Sequence, residues 1–198
     1  MTDSSTGGYL VPATLPAPLQ DQQLYEALQS MVVGVTGLDG TLVRPRWQPE
    51  PSLIPAAGTC WIAIGVTDRE ADVFPFLGFF PNDTTNYQMQ RHEEFTMLAS
   101  VYDLGYNGEA DTVAAVLRDG IMIPQNNDAL AANGIYVVGD SDLAVAPSLF
   151  KQRWMYRVDL KIRFRRQITR QYSVDPIATV GVDLYTDDGQ PPRVISGS

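Results

Sequence analysis

Apolar and polar residues alternate along 151–172, KQRWMYRVDLKIRFRRQITRQY, for longer than anywhere else in the chain. At every second position, Trp154, Tyr156, Val158, Leu160, Ile162, Phe164 and Ile168 share one face. Arg153, Arg157, Lys161, Arg163, Arg165 and Gln167 share the other. A strand with one face in a core and one face wet needs this pattern. At about 3.3 Å per residue the run would span roughly 60 Å, well past the usual strand. It is therefore expected to bend at a bulge or to project beyond its domain. A second alternation, over 86–103, sets Tyr87, Met89, Phe95, Met97, Ala99 and Val101 against Gln88, Gln90, His92, Glu94, Thr96 and Ser100. It predicts a second long strand, antiparallel to the one before it.

Other periods predict the remaining elements. Leu24, Leu28, Met31, Val32 and Val35 recur at helical spacing, so a helix is expected over about 21–33, ended by Gly34 and Gly37. Short strand signals follow at 40–46 and 59–72, the latter expected to be covered on both faces because it opens with an apolar run. A helix from an Asn107 N-cap to Gly120 would turn Ala110, Val113, Leu117 and Ile121 inward. A short helix is expected within 124–134, capped by Asn126 and stopped by Gly134, and then a strand over 135–145 broken at Asp140, Ser141 and Asp142. Between the strand signals, FPFLGFF at 74–80 reads as a loop or hairpin tip, with more aromatic area than a solvated turn needs. The order predicts an α+β fold: a mostly antiparallel sheet flanked by an N-terminal helix and a central pair of helices. Residues 1–20 read as a flexible arm and 21–172 as the domain. Residues 173–198 read as a tail with one strand signal near 179–185.

Charge sharpens this picture. Of the chain's 14 basic residues, eight lie in 151–172 against the single acid Asp159, a local charge of +7. The rest holds six basic and 22 acidic residues, so the chain totals −9. A row of like charges on a free strand repels itself, so something acidic should lie opposite. Nucleic acid is one candidate, but Trp154, Tyr156 and Phe164, which would stack on bases, are in phase with the core. An acidic surface on another copy of this acidic chain fits better. Arg153, Arg157, Lys161, Arg163, Arg165, Arg166 and Arg170 are thus candidate interface residues. Phe76, Phe79 and Phe80 join them as aromatic groups expected to be exposed in the lone subunit and buried on assembly.

Catalytic chemistry finds no foothold. His92 stands alone among charged neighbours, and Cys60 sits in an apolar run where a thiol acts as a small core residue. Gly134 to Gly139 has phosphate-loop spacing, but Asp140 stands where the lysine belongs and would repel a phosphate. Asp140 and Asp142 lack the rest of a calcium loop. No enzyme activity, cofactor or metal is expected. One cysteine, no signal-peptide pattern at MTDSSTGGYLVP and no run of about 20 apolar residues predict a cytosolic product without a membrane partner.

Several stretches together resemble a known family: RPRWQPEP at 44–51, GVTDREAD at 65–72, RHEEF at 91–95, LRDGIMIPQN at 117–126 and the run 149–172. Their set and order, over about 24–172, resemble the neck or tail terminator proteins of tailed bacteriophages. The resemblance implies a structural virion protein that forms a ring, usually of six. Such a ring caps the tail tube, meets the head connector and other neck proteins, and lets genomic DNA pass its lumen without specific binding. It implies assembly in the host cytoplasm. A tail tube or tail-completion subunit is the nearest alternative, and a nucleic-acid-binding module using the basic strand is a more distant one.

Overall fold

The computed structural model describes residues 9–12, 21–47, 55, 58–80, 83–103, 105, 108–140, 142–150 and 153–174; within these, the side chains of residues 80, 83–85, 150 and 153 are left undescribed. The predicted strand over 179–185, the arm before residue 9 and the Asn107 cap lie outside the described residues.

Helix α1 (Asp21–Thr36) buries Leu24, Leu28, Met31 and Val32 along one stripe. It runs past Gly34 and stops at Gly37, whose positive φ of 70° lets its N–H return to the Val33 carbonyl at 2.9 Å. A short 3-10 turn leads to β1 (Val43–Pro45), parallel to β2 (Trp61–Ala71). Strand β2 is covered on both faces only over Ile62, Ala63 and Ile64; residues 67–71 are exposed, which corrects the expectation for the whole run. A bend at 73–74 interrupts the path, and β3 (Phe76–Phe80) then continues along the same edge of β4 (Asp83–Asp103).

Helix α2 (Glu109–Gly120) starts at Gly108, which is in the left-handed region at φ 80°, with no side-chain cap. Its buried positions are Ala110, Ala114 and Leu117, with Ile121 just beyond the end. Asn126, expected to open the next helix, instead donates from Nδ2 to the Gly120 carbonyl at 2.8 Å and so caps the end of α2. A 3-10 turn over Pro124–Asn127 and the short α3 (Asp128–Ala131) precede β5 (Ile135–Asp140), β6 (Ala144–Val145), β7 (Ser148–Phe150) and β8 (Arg153–Ser173).

The strand order is β1-β2-β4-β8-β5, with β3 beside β4 and with β6 and β7 beside β8. Apart from β1, every pairing is antiparallel, so the fold is α+β as the sequence predicts. The pair β4·β8 holds one register from Asn86 opposite Ser173 to Asp103 opposite Tyr156. Its helix-facing side puts Phe95, Met97, Ala99 and Val101 against Phe164, Ile162, Leu160 and Val158, all buried in one core with α1 and α2. Phe95 and Phe164 stack with ring centroids 5.3 Å apart.

Beyond Phe95 and Phe164 the same pair continues as an arm. Its three strands are β3, the first part of β4 and the last part of β8. The projection expected from strand length is therefore present, without a break in the β4·β8 register. At the other end, Trp154 departs from its expected core position and is 61% exposed, while Met155 is buried. Trp154 lies past the last β4 partner and pairs with Leu149 of β7, so among the described residues no core lies beneath it.

Candidate subunit interface

The alternation of β8 sorts its basic residues into different environments. Directly opposite residues on paired strands share a face. Lys161, Arg163 and Arg165 lie opposite Leu98, Thr96 and Glu94 on the face away from the helices, and all three are exposed. Arg166 and Arg170, one and five positions after Arg165, must therefore point to the helix side.

Arg166 is thereby a correction to the predicted interface. It is 3% exposed, and its Nε and Nη2 both donate to Glu93 Oε1, at 3.0 and 2.8 Å. Its guanidinium also lies over the Phe95 ring, 5.5 Å from the centroid. A buried arginine with a carboxylate and an aromatic face as neighbours belongs to its own core. Arg170 sits on the arm opposite Met89, separated by a whole sheet thickness from the Arg163 and Arg165 row.

Arg157 is also engaged within the chain. Its Nη2 donates to Asp159 Oδ2 at 3.1 Å, and Ser100 donates to Asp159 Oδ1 at 2.5 Å. Arg46 reaches Ser100 from the segment after β1, so the lone acid of the basic run is linked to Arg157 directly and to Arg46 through Ser100. Trp47 beside it covers Gly65, where a Cβ would meet the indole ring. The side chain of Arg153 lies outside the described residues.

Arg163 and Arg165 form no ion pair among the described residues. The Arg163 guanidinium lies over Gly139 of β5, 3.6 Å from where a Cβ there would stand. Arg165 has Tyr136 of β5 on one side and Glu94 of β4 on the other. Acids that the sequence reading passed over complete this face. Asp68 and Glu70 of β2 are exposed and lie opposite Thr96 and Glu94. A register shift between Val66 and Asp68 brings these acids onto the outward face. One sheet face thus runs from an acidic β2 border to a basic row on β8, which β5, with Asp140 at its end, flanks.

On the arm, Phe76 is 63% and Phe79 51% exposed, and Val73, Phe74 and Leu77 are exposed as well. Phe79 makes an edge contact with Tyr87, at 5.1 Å between centroids. The side chain of Phe80 lies outside the described residues. Of the aromatic segment, Phe76–Phe80 form a strand in a hairpin with β4, the hairpin alternative of the expectation, and 74–75 precede it.

A family model for the phage neck terminator protein matches residues 22–190. The chain belongs to the phage neck terminator family. It is a structural neck protein of a tailed phage, a component of the virion that associates with other phage head and tail proteins. The family match also takes in residues 173–190, which the resemblance seen in the sequence leaves out. No curated protein matches the chain.

Cys60 and His92 are both engaged within the fold. Cys60 is buried in the core, and burial, aided by Glu109 and Asp103, pushes its thiol up to about 12, so it stays protonated and unreactive. His92 Nδ1 lies 3.3 Å from Asp72 Oδ2, and the Asp72 N–H donates to the His92 carbonyl at 3.0 Å. This pair ties the β2–β3 interruption to β4. Among the described residues no three His, Cys, Asp or Glu side chains gather as a metal site would require.

Proposed function

We propose that this neck terminator works as a head-to-tail ring, six-fold as is usual for such rings, that caps the tail tube and joins it to the head connector. The observation that carries the reading is the charge division of one sheet face. Asp68 and Glu70 stand at the β2 border, and Lys161, Arg163 and Arg165 stand on β8 toward the other side, with β5 beside Arg163 and Arg165. A ring contact is heterologous, with different surfaces of one chain meeting, and complementary borders fix its register. Arg163 reaches over Gly139 of β5 toward the sheet border where a neighbour's acids would arrive. The acidic remainder of the chain suits a lumen through which DNA slides without adhering, and assembly would take place in the host cytoplasm. Residues 21–172 would form the ring body, with 1–20 and 173–198 as arm and tail.

Tyr136 beside Arg165 favours a second reading, in which exposed aromatic and basic groups bind nucleic acid. Glu94 and Glu70 lie in the same row as Arg165 and would repel a phosphate backbone. The protein interface is the better fit.

Exposed charge pairs contribute about 0–1 kcal/mol each, so the ring depends on several acting together. Native mass spectrometry of Arg163→Glu/Arg165→Glu should show a folded monomer and no ring. The wild-type ring should weaken as salt rises, because border charges are screened. A double variant that still forms rings at low salt would mean that this face is only solvated surface. Wild-type protein that grows into filaments would identify a tube subunit instead.

A further inference from the structure

We infer that neighbouring subunits join by β-strand pairing along the arm, the open edge of β3 in one copy meeting the open edge of β8 in the next. This rests on the ring reading and names the backbone contact within it. The arm has three strands, and its two outer edges are β3 and the last part of β8. Strand β5 reaches only to Ile135 opposite Arg166, so among the described residues β8 has no second partner over 167–173. Among the described residues strand β3 has none besides β4. Each edge presents a row of N–H and C=O groups ready to pair with another chain.

The two edges are matched in reach. Phe76, Gln90 and Thr169 lie level across the arm, as do Phe79, Tyr87 and Tyr172. They are matched in face as well, since Leu77, Phe79, Met89 and Tyr172 all lie on one side. Both strands run antiparallel to β4, so β3 and β8 point the same way. A copy rotated about an axis along the arm would bring β8 beside β3 as a parallel pair and use each edge once. Two-fold pairing would use one edge twice and leave the other bare. The flanking charges favour the rotational choice. The acids of β2 follow β3 along one border, and Arg163 and Arg165 precede the open part of β8 on the other. Strand pairing on the arm therefore brings opposite charges together on the body. The same contact covers Phe76, Leu77 and Phe79, exposed by half or more in the lone subunit.

The test is disulfide trapping between full-length single variants. Leu77→Cys is mixed in turn with Thr169→Cys, Arg170→Cys, Gln171→Cys and Tyr172→Cys, assembled and oxidised. Within one chain β3 and β8 are two strand spacings apart, about 10 Å, beyond disulfide reach. Buried Cys60 stays silent. The expected result is an interchain band whose yield alternates with a two-residue period, strong at Arg170→Cys and Tyr172→Cys and weak at the other two. Phe79→Cys, on the same face, repeats the scan should Leu77→Cys fold poorly. Bands from Leu77→Cys alone would overturn the proposal in favour of two-fold pairing. An intact ring by native mass spectrometry with no band in either scan would overturn the strand contact and leave the ring standing. Wild-type protein that stays monomeric would sink the ring, and this contact with it.

Discussion

Strands β4 and β8 form one continuous pair with two unlike halves. From Phe95 to Asp103, with Tyr156 to Phe164 opposite, the helix side is buried beneath α1 and α2. From Asn86 to His92, with Gln167 to Ser173 opposite, the same two strands carry mostly half-exposed residues, Gln88 and Ile168 apart, and the β3 hairpin. The backbone is alike in both halves, and the difference lies in what covers it. The body half is closed by its own chain, whereas the arm half displays apolar rings and open edges that the described residues leave uncovered. A subunit that must meet copies of itself has reason to be built this way.

The sharpest break in this comparison is at its boundary. Arg166→Ala would leave the largely covered Glu93 without its partner and open a gap at a buried site, a loss of about 3 kcal/mol. Its thermal midpoint should fall by roughly 10 °C in scanning calorimetry, for a chain of this length. Arg165→Ala, one residue earlier and exposed, should shift it by less than about 2 °C. The two neighbours should also part in assembly, where only Arg165 faces outward.

Phe76→Ser/Phe79→Ser probes the arm. Fully burying a phenylalanine is worth about 1.5–3 kcal/mol, and each ring is already partly covered, so the pair should contribute roughly 2–3 kcal/mol to assembly. Circular dichroism should stay native while native mass spectrometry shows dissociation. A double variant that unfolds would assign these rings to the subunit's own core.

Cys60 tests the body through pH. Burial raises its thiol to about 12, above the ordinary cysteine value. The folded state therefore holds this proton more tightly than the unfolded chain does. The stabilisation is complete below the unfolded value and is lost as pH rises from about 9 through about 12. Urea midpoints should fall across that window, less so in Cys60→Ala. Thiol reagents should be excluded at pH 8 until the protein unfolds.

The smallest effect should come from His92. Its pair with Asp72 is half exposed and contributes about 0–1 kcal/mol. His92→Ala should leave the thermal midpoint and the assembly state nearly unchanged.

Much of this comparison is legible in the sequence, because a period of two is a direct consequence of strand geometry. The alternations over 86–103 and 151–172 mark both long strands, and their length signals the arm. What the alternation cannot carry is which chain covers each face. Arg165 and Arg166 look alike in a charge count, and only the pairing of β4 with β8 sets Arg166 against Glu93. Asp68 and Glu70 reach the outer face through a register shift after Val66 that no residue pattern announces. Trp154 follows the core phase in sequence but lies where β4 has ended. Gly34 and Gly37 look equally able to end a helix, and only the chain's departure at Gly37 distinguishes them.

Hydrogen exchange of the backbone amides, compared between salt-dissociated subunits and the assembled particle, tests the division into body and arm most directly. Amides of β4 and β8 beneath the helices should be equally protected in both states, and those of 76–80 and 167–173 should gain protection only on assembly. Arm amides that exchange at the same rate in an intact particle would contradict the claim that this half of the strand pair is built for another chain.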